Sequence, residues 1–236
     1  MKLVEVPYLF LIPLLPLVGA FVAGVFGLWL HRRFGERAIA ALTVALPWAS
    51  CLFAVRAVVA LAGAGPRAIL YQRAWSWIAV GSLQVDLAFA VDRLSAVMIL
   101  VVTFVGSLIH VYSMGYMHRD PSYWRFFAYL NLFMAAMLVL VLGDGLLLAF
   151  VGWEGVGLCS YLLIGFWYQD PKNAAAGMKA FIVNRIGDAG FLLGTFLLFW
   201  GLAADAPNYP RAPRRDHEPA AAPAPARGPH GAVEGA

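Results

Sequence analysis

Charge is what this sequence has least of. Asp, Glu, Lys and Arg together make up 13% of its 236 residues, about half the share of a soluble domain. The apolar fraction stands at 62%, and a soluble chain of this size would leave much of that surface exposed to water. Lipid removes the difficulty, because the outer face of each helix is then meant to be apolar. Cysteine is nearly absent. Cys51 and Cys159 lie far apart in apolar stretches, which excludes a disulfide framework or a metal-binding spacing and leaves two small packing residues. There is no phosphate-binding loop, nucleotide fingerprint, haem ligand set or iron–sulfur cysteine cluster, so the chain carries no redox chemistry by itself. The net charge of +4 comes mostly from arginines near segment ends and in the tail. With no basic stripe and no soluble module, nucleic acid is excluded as a partner and the lipid bilayer is the expected surroundings. Arginine far outnumbers lysine, which suggests a GC-rich bacterial gene and so a bacterial inner membrane.

What is present is a series of long apolar runs. A helix needs about 20 apolar residues to cross the hydrocarbon core, and six stretches qualify: 7–30, 38–62, 94–116, 123–142, 146–167 and 177–203. The first is too long for a signal peptide and has no small-x-small cleavage site, so it is expected to remain in the mature protein. Asp120-Pro121 and Asp170-Pro171 each read as a helix start, a capping carboxylate followed by proline at the first helical position. Gly143-Asp144-Gly145 reads as a tight turn that makes the fourth and fifth helices antiparallel, with Asp144 a turn-former.

His31, Arg32, Arg33 and Arg37 follow the first apolar run, which places the N-terminus outside and the loops 31–37, 117–125 and 168–176 in the cytoplasm. In the external loop, Leu83, Val85, Leu87, Phe89 and Val91 alternate with more polar neighbours. That period of two predicts a strand, and Gly81-Ser82 before it predicts the turn of a β-hairpin. Trp75 and Trp77 would then lie at headgroup level. From Ala204 onward the Pro/Ala-rich composition predicts a disordered tail. The expected fold is therefore all-α: a polytopic transmembrane bundle of about six helices with a small external β-hairpin. Residues 1–203 form the membrane domain and 204–236 the tail.

Ionisable residues within membrane helices are costly and mark ion pathways. Glu154 lies mid-way along the fifth apolar stretch with no basic partner in its own helix, and Gly152, Gly155 and Gly157 around it leave room for another helix or for water. Asp188 lies mid-way along the sixth stretch, three residues after Arg185 on the same face. The two read either as a functional group or as a self-neutralising ion pair. Lys179 reads as a member of the same path or as an interface anchor. His110 in the third stretch reads as a proton relay or as a packing histidine. Glu154 is the strongest candidate of the set.

The run Gly152-Trp-Glu-Gly-Val-Gly-Leu-Cys-Ser-Tyr-Leu-Leu-Ile-Gly-Phe-Trp167 closely resembles the fifth helix of the distal proton-pumping membrane subunit of respiratory complex I, called subunit L in bacteria and chain 5 in mitochondria. Asp170-Pro-Lys-Asn-Ala-Ala-Ala-Gly-Met-Lys-Ala-Phe181, Asn184-Arg-Ile-Gly-Asp188, Arg125-Phe-Phe-Ala-Tyr-Leu-Asn-Leu-Phe133 and Ser107-Leu-Ile-His-Val-Tyr112 extend the resemblance over nearly all of 7–203. It implies an antiporter-like subunit of NADH:quinone oxidoreductase that moves protons along charged residues at mid-membrane. The family's fifth-helix glutamate is matched by Glu154, its sixth-helix Asp by Asp188, and the nearby Arg and Lys by Arg185 and Lys179. The resemblance also implies no cofactor on this chain, with NADH, FMN, iron–sulfur clusters and quinone on other subunits. Its expected partners are other membrane subunits, above all the neighbouring antiporter-like one. The family continues with further helices, including a broken seventh that carries the lysine partner of the glutamate, whereas this sequence passes into the Pro/Ala-rich tail. A truncated, frameshifted or split subunit is therefore expected, and a non-conducting remnant or assembly scaffold is one alternative. The large subunit of a multisubunit sodium/proton antiporter is the other.

Overall fold

A computed structural model describes residues 2–80 and 83–204 of the chain. The described residues contain six helices long and apolar enough to cross a membrane. They are α1 Leu11–Phe34, α2 Glu36–Ala64, α3 Arg93–Tyr116, α4 Tyr123–Leu142, α5 Leu146–Ile164 and α6 Pro171–Ala204. Gly194–Ala204, the last turns of α6, belong to a second unit and are described by themselves. The expected tail lies outside the described residues.

The external segment is larger than a hairpin. Strands β2 (Ala68–Val80) and β3 (Leu83–Val91) pair antiparallel, and β1 (Lys2–Glu5) adds a third strand parallel to β2. Register shifts between Arg73 and Trp75 and between Ser76 and Ile78 bulge the long strand, a device that blunts an otherwise open edge. The expected turn at Gly81-Ser82 lies outside the described residues. An isolated bridge from Phe89 to Gly143 ties the sheet to the α4–α5 turn, and Asp144 N–H donates to the Ala88 carbonyl at 3.0 Å.

Helix starts follow local chemistry. Asp92 and Ser95 form a reciprocal capping box at α3, and the Ser95 backbone N–H holds the Asp92 carboxyl below its ordinary value. Asp170 Oδ1 accepts from Lys172 N–H at 2.9 Å just before Pro171 opens α6, as the Asp-Pro pair predicts. The same pair at Asp120-Pro121 behaves differently. Asp120 Oδ1 accepts from Ser122 N–H at 2.7 Å and makes a turn, so α4 starts only at Tyr123.

Two apolar clusters form the interior of the α1–α4 part. One lies toward the sheet and includes Leu9, Ile12, Leu61, Leu70, Val91, Ile99, Leu138 and Leu142. The other includes Ile39, Ala40, Met117, Tyr123, Phe127 and Phe166. Between them along the helices lies a buried polar belt of Thr43, Ser50, Thr103, Ser107, His110 and Asn131. Three of its hydroxyls donate to carbonyls one turn back: Thr43 to Ile39 at 2.7 Å, Thr103 to Ile99 at 2.6 Å and Ser107 to Thr103 at 2.7 Å. Such bonding lets polar groups sit among apolar ones.

The belt also repairs two proline defects. Pro16 and Pro47 lie inside α1 and α2, where each lacks the N–H that a carbonyl four residues earlier would accept. Those carbonyls are Ile12 and Thr43. Ser50 Oγ donates to the Ile12 carbonyl at 2.6 Å, and Asn131 Nδ2 donates to the Thr43 carbonyl at 3.1 Å. Each defect thus becomes a link between helices, which matters where no water is available. Asn131→Ala is expected to cost about 2 kcal/mol, the penalty for a buried acceptor left unpaired. Thermal unfolding of the detergent-solubilised protein measures it, and an unchanged midpoint would mean that the Thr43 carbonyl finds another donor.

Opposite the sheet, three loops meet. Glu36 accepts from His118 Nδ1 at 2.8 Å and from Arg119 N–H at 3.1 Å, holding Arg119 in the left-handed region at φ 68°. Trp167 Nε1 donates to Asp120 at 3.0 Å, and the Arg125 guanidinium donates to the Phe166 carbonyl at 3.2 Å. This end gathers Arg32, Arg33, Arg37, Arg119, Arg125 and Lys172, the enrichment expected of a cytoplasmic face. Single cysteines at Arg33 and Ser122 should therefore both label from the cytoplasm. Labelling of either from the other side would reverse the orientation.

Candidate functional site

The expected charges meet on the facing sides of α5 and α6. Arg185 on α6 donates through Nη1 to Glu154 Oε2 on α5, and the same nitrogen lies 3.4 Å from Asp188 Oδ2. The i,i+3 pair read from the sequence is therefore present, and Glu154 joins it from the neighbouring helix. One guanidinium serves two carboxylates. With all three ionised, the group carries one uncompensated negative charge.

Aromatic rings enclose the group on both sides along the helices. Phe150 and Trp153 of α5 stack on Phe191 of α6, with centroids 5.5 Å and 6.1 Å away and planes within 12° and 15°. Toward the other end, Tyr161 meets Phe181 at 5.5 Å, and the Arg185 guanidinium carbon sits 4.6 Å above the Phe181 ring. The spacing explains the assembly. Phe181, Arg185, Asp188 and Phe191 recur at four, three and three residues, one face of α6. Antiparallel α5 presents Tyr161, Glu154, Trp153 and Phe150 in matching order. Asp188 is the most enclosed of the charges, its side chain 7% exposed against 26% for Glu154 and 46% for Arg185. Its other oxygen, Oδ1, accepts from the Trp153 indole N–H at 2.7 Å.

The glycines around Glu154 divide their roles. A Cβ on Gly152 would come within 2.4 Å of the Leu140 nitrogen, and one on Gly155 within 2.9 Å of Ala136 Cβ, so both admit α4. A Cβ on Gly157 would meet nothing within 4 Å. Gly157 is thus the open position, one turn beyond the Trp153–Glu154 face.

Lys179 and His110 stand apart from this group. Lys179 is exposed on a shallow groove of about 560 Å³ along α6 with Ala175, Met178 and Ile182. His110 is 1% exposed in the polar belt. Its Nδ1 lies 2.7 Å from the Gly106 carbonyl, so that nitrogen carries the proton, and its Nε2 has no partner among the described residues. Sequence reasoning did not find Trp153. Its signal was an indole donor adjacent to a membrane carboxylate.

The sequence of these elements matches known proteins. The description "NADH-Ubiquinone oxidoreductase (complex I), chain 5 N-terminus" fits residues 77–127, and "NADH:quinone oxidoreductase/Mrp antiporter, TM" fits residues 143–204. NADH-quinone oxidoreductase subunit L of Mycobacterium tuberculosis is 46% identical over 197 residues, 81% of this chain and 30% of that protein. Over most of its length this chain is similar to part of the subunit L and chain 5 family. The Escherichia coli subunit L is 56% identical over 128 residues, 54% of this chain and 21% of that protein. The chain thus spans under a third of the length of these relatives. Among solved structures, an archaeal membrane-bound sulfane sulfur reductase aligns with TM-score 0.64 at 22% identity, over 78% of this chain and 35% of that one, which establishes likeness of fold. The Mrp complex from Dietzia aligns with TM-score 0.58 at 25% identity, over 78% of this chain and 18% of that one. The glutamate helix and its partner α6 fall within the antiporter region of the match.

Proposed function

We propose that this chain forms the N-terminal part of a proton-translocating membrane subunit of NADH:quinone oxidoreductase, in which Glu154, Arg185 and Asp188 act as a switchable charge group. The observation that carries the reading is the sharing of Arg185 between two carboxylates on facing helices. A guanidinium held by two acceptors needs only a change of side-chain position to alter the charge at either one. Its neutralising effect can then pass between Glu154 and Asp188, and the carboxylate left without it takes up a proton. On this reading residues 1–203 are the membrane domain, the tail from 204 has no part in transport, and the chain lies in a bacterial inner membrane.

NADH oxidation and quinone reduction belong to other chains, with their FMN and iron–sulfur clusters. The neighbouring antiporter-like subunit is the expected contact within the membrane. Lys179 joins the path only if further helices cover the α6 groove, and His110 serves the polar belt of α1–α4. A second reading, the large subunit of a sodium/proton antiporter, is supported by the likeness to the Mrp complex. The higher identity to the subunit L sequences favours the first. NADH-driven acidification of vesicles holding the whole complex decides between them. Acidification independent of sodium supports the oxidoreductase reading, and strict dependence on sodium would overturn it.

A further inference from the structure

We propose that Trp153 is a positioning residue that fixes Asp188 as the stationary carboxylate of the group, leaving Glu154 as the one that exchanges Arg185 for a proton. The proposal rests on the reading of the Glu154–Arg185–Asp188 group as part of a proton path. Its own ground is separate: among the described residues, a neutral donor reaches one carboxylate of the group and not the other. The indole N–H bonds Asp188 Oδ1 at 2.7 Å while Arg185 lies 3.4 Å from Oδ2. Both oxygens of this enclosed carboxylate thus face donors. Both donors favour the ionised form of Asp188, so a proton arriving there weakens both contacts.

Stacking orients the half-exposed Trp153. Its ring lies within 15° of parallel with Phe191, and Phe191 also stacks against Phe150. Phe191 stands one turn beyond Asp188 on α6, so the same helix supplies both the acceptor and the ring that orients the donor. Glu154 differs in each respect. Its contact in the group is the half-exposed guanidinium of Arg185, its side chain is more exposed than that of Asp188, and Gly157 leaves open space one turn further on. When Arg185 turns wholly toward Asp188, the indole is already in place and Glu154 is the carboxylate left to bind a proton. Without the indole donor the two carboxylates compete for one cation, and the order in which they load is lost.

The test uses the assembled complex with a full-length subunit and follows the pH profile of NADH-driven pumping. Trp153→Phe keeps the stacking on Phe191 and removes the N–H. It is expected to move the acid limb of the profile upward by about one pH unit, a tenfold change in proton occupancy, with electron transfer to artificial acceptors unchanged. Asp188→Asn lowers pumping by itself, so it is the reference for the double variant: adding Trp153→Phe to it should move the acid limb little further, because the carboxylate that competes is then gone. Phe191→Leu, which loosens the ring and leaves the donor, should shift the profile less than Trp153→Phe. A Trp153→Phe profile that superimposes on the unsubstituted one overturns the proposal, as does a shift that persists undiminished with Asp188→Asn. If Trp153→Phe fails to assemble, Trp153→Gln keeps a neutral N–H donor that does not titrate, and it must then pump with a profile displaced by less than one unit. A Trp153→Gln complex that assembles and shifts by more also overturns the proposal. Normal pumping by Glu154→Gln would remove the underlying reading instead, so the two failures are distinct.

Discussion

Glu154→Gln, in a full-length subunit within its assembled complex, is expected to lower proton pumping by about tenfold while leaving electron transfer to artificial acceptors intact. Glutamine keeps the shape of the side chain and can still accept from Arg185, so the α5–α6 contact survives. What changes is the competition for the guanidinium. Hydrogen bonds to charged groups contribute roughly 1.5–3 kcal/mol, about twice the value for neutral ones. With one acceptor neutral, Arg185 settles on Asp188, and its two positions differ in population by about tenfold or more. The group is then a closed ion pair with no site to load. Moving one charge through a potential of about 100 mV involves about 2.3 kcal/mol, so a cycle driven by such differences loses its gradation once the partner is fixed. Glu154→Asp keeps the charge on a shorter arm and should be milder. Acidification by inverted vesicles, with assembly checked on native gels, measures both. Normal pumping by an assembled Glu154→Gln complex would show that this carboxylate only bridges two helices.

The membrane class was legible because composition alone forces it, and the six helices because each apolar run is long enough to span. Helix ends were legible only where a local signal acts. The sixth helix opens at Pro171, where its Asp-Pro start lies, and not at 177, where the apolar run begins. The identical pair at Asp120-Pro121 failed as a guide, because a turn and a first helical residue ask the same of a proline. Strand β1 was not legible. Four residues from Lys2 to Glu5 carry too little periodicity to stand out, and their pairing with β2 comes from α1 and α2 returning the chain to the same end. The site divides in the same way. Arg185 and Asp188 could be paired from spacing, since three residues on one helix fix a face. The bond from Arg185 to Glu154 crosses between helices and 31 positions of sequence, and nothing local encodes it. The proline-linked donors Ser50 and Asn131 were likewise hidden, although each proline announces a carbonyl in need of a donor four residues earlier.

Gly152→Ala is the substitution expected to damage the scaffold of the site most. On α5, Gly152 and Gly155 are three residues apart and share a face, while Trp153 and Glu154 between them point the opposite way. Close packing on α4 thereby aims the functional pair at α6. A methyl group at Gly152 would lie 2.4 Å from the Leu140 nitrogen and 2.6 Å from its Cα. Those are backbone atoms of a helix interior, so no rotamer change relieves the overlap and α4 and α5 must separate. Overpacking of this kind costs about 3 kcal/mol at the upper end of its usual range. Gly157→Ala is the matched control. It adds the same methyl group to the same helix, meets nothing within 4 Å, and should gain about 0.5–1 kcal/mol from the better helix propensity of alanine. Thermal unfolding of the two variants in detergent should therefore move in opposite directions from the unsubstituted protein. Assembled complex carrying Gly152→Ala should also pump poorly, because the displaced α5 withdraws Trp153 and Glu154 from Asp188 and Arg185 together. Equal melting of the two variants would mean that α5 does not approach α4 at Gly152, and the orientation of the charge group would then need a different support.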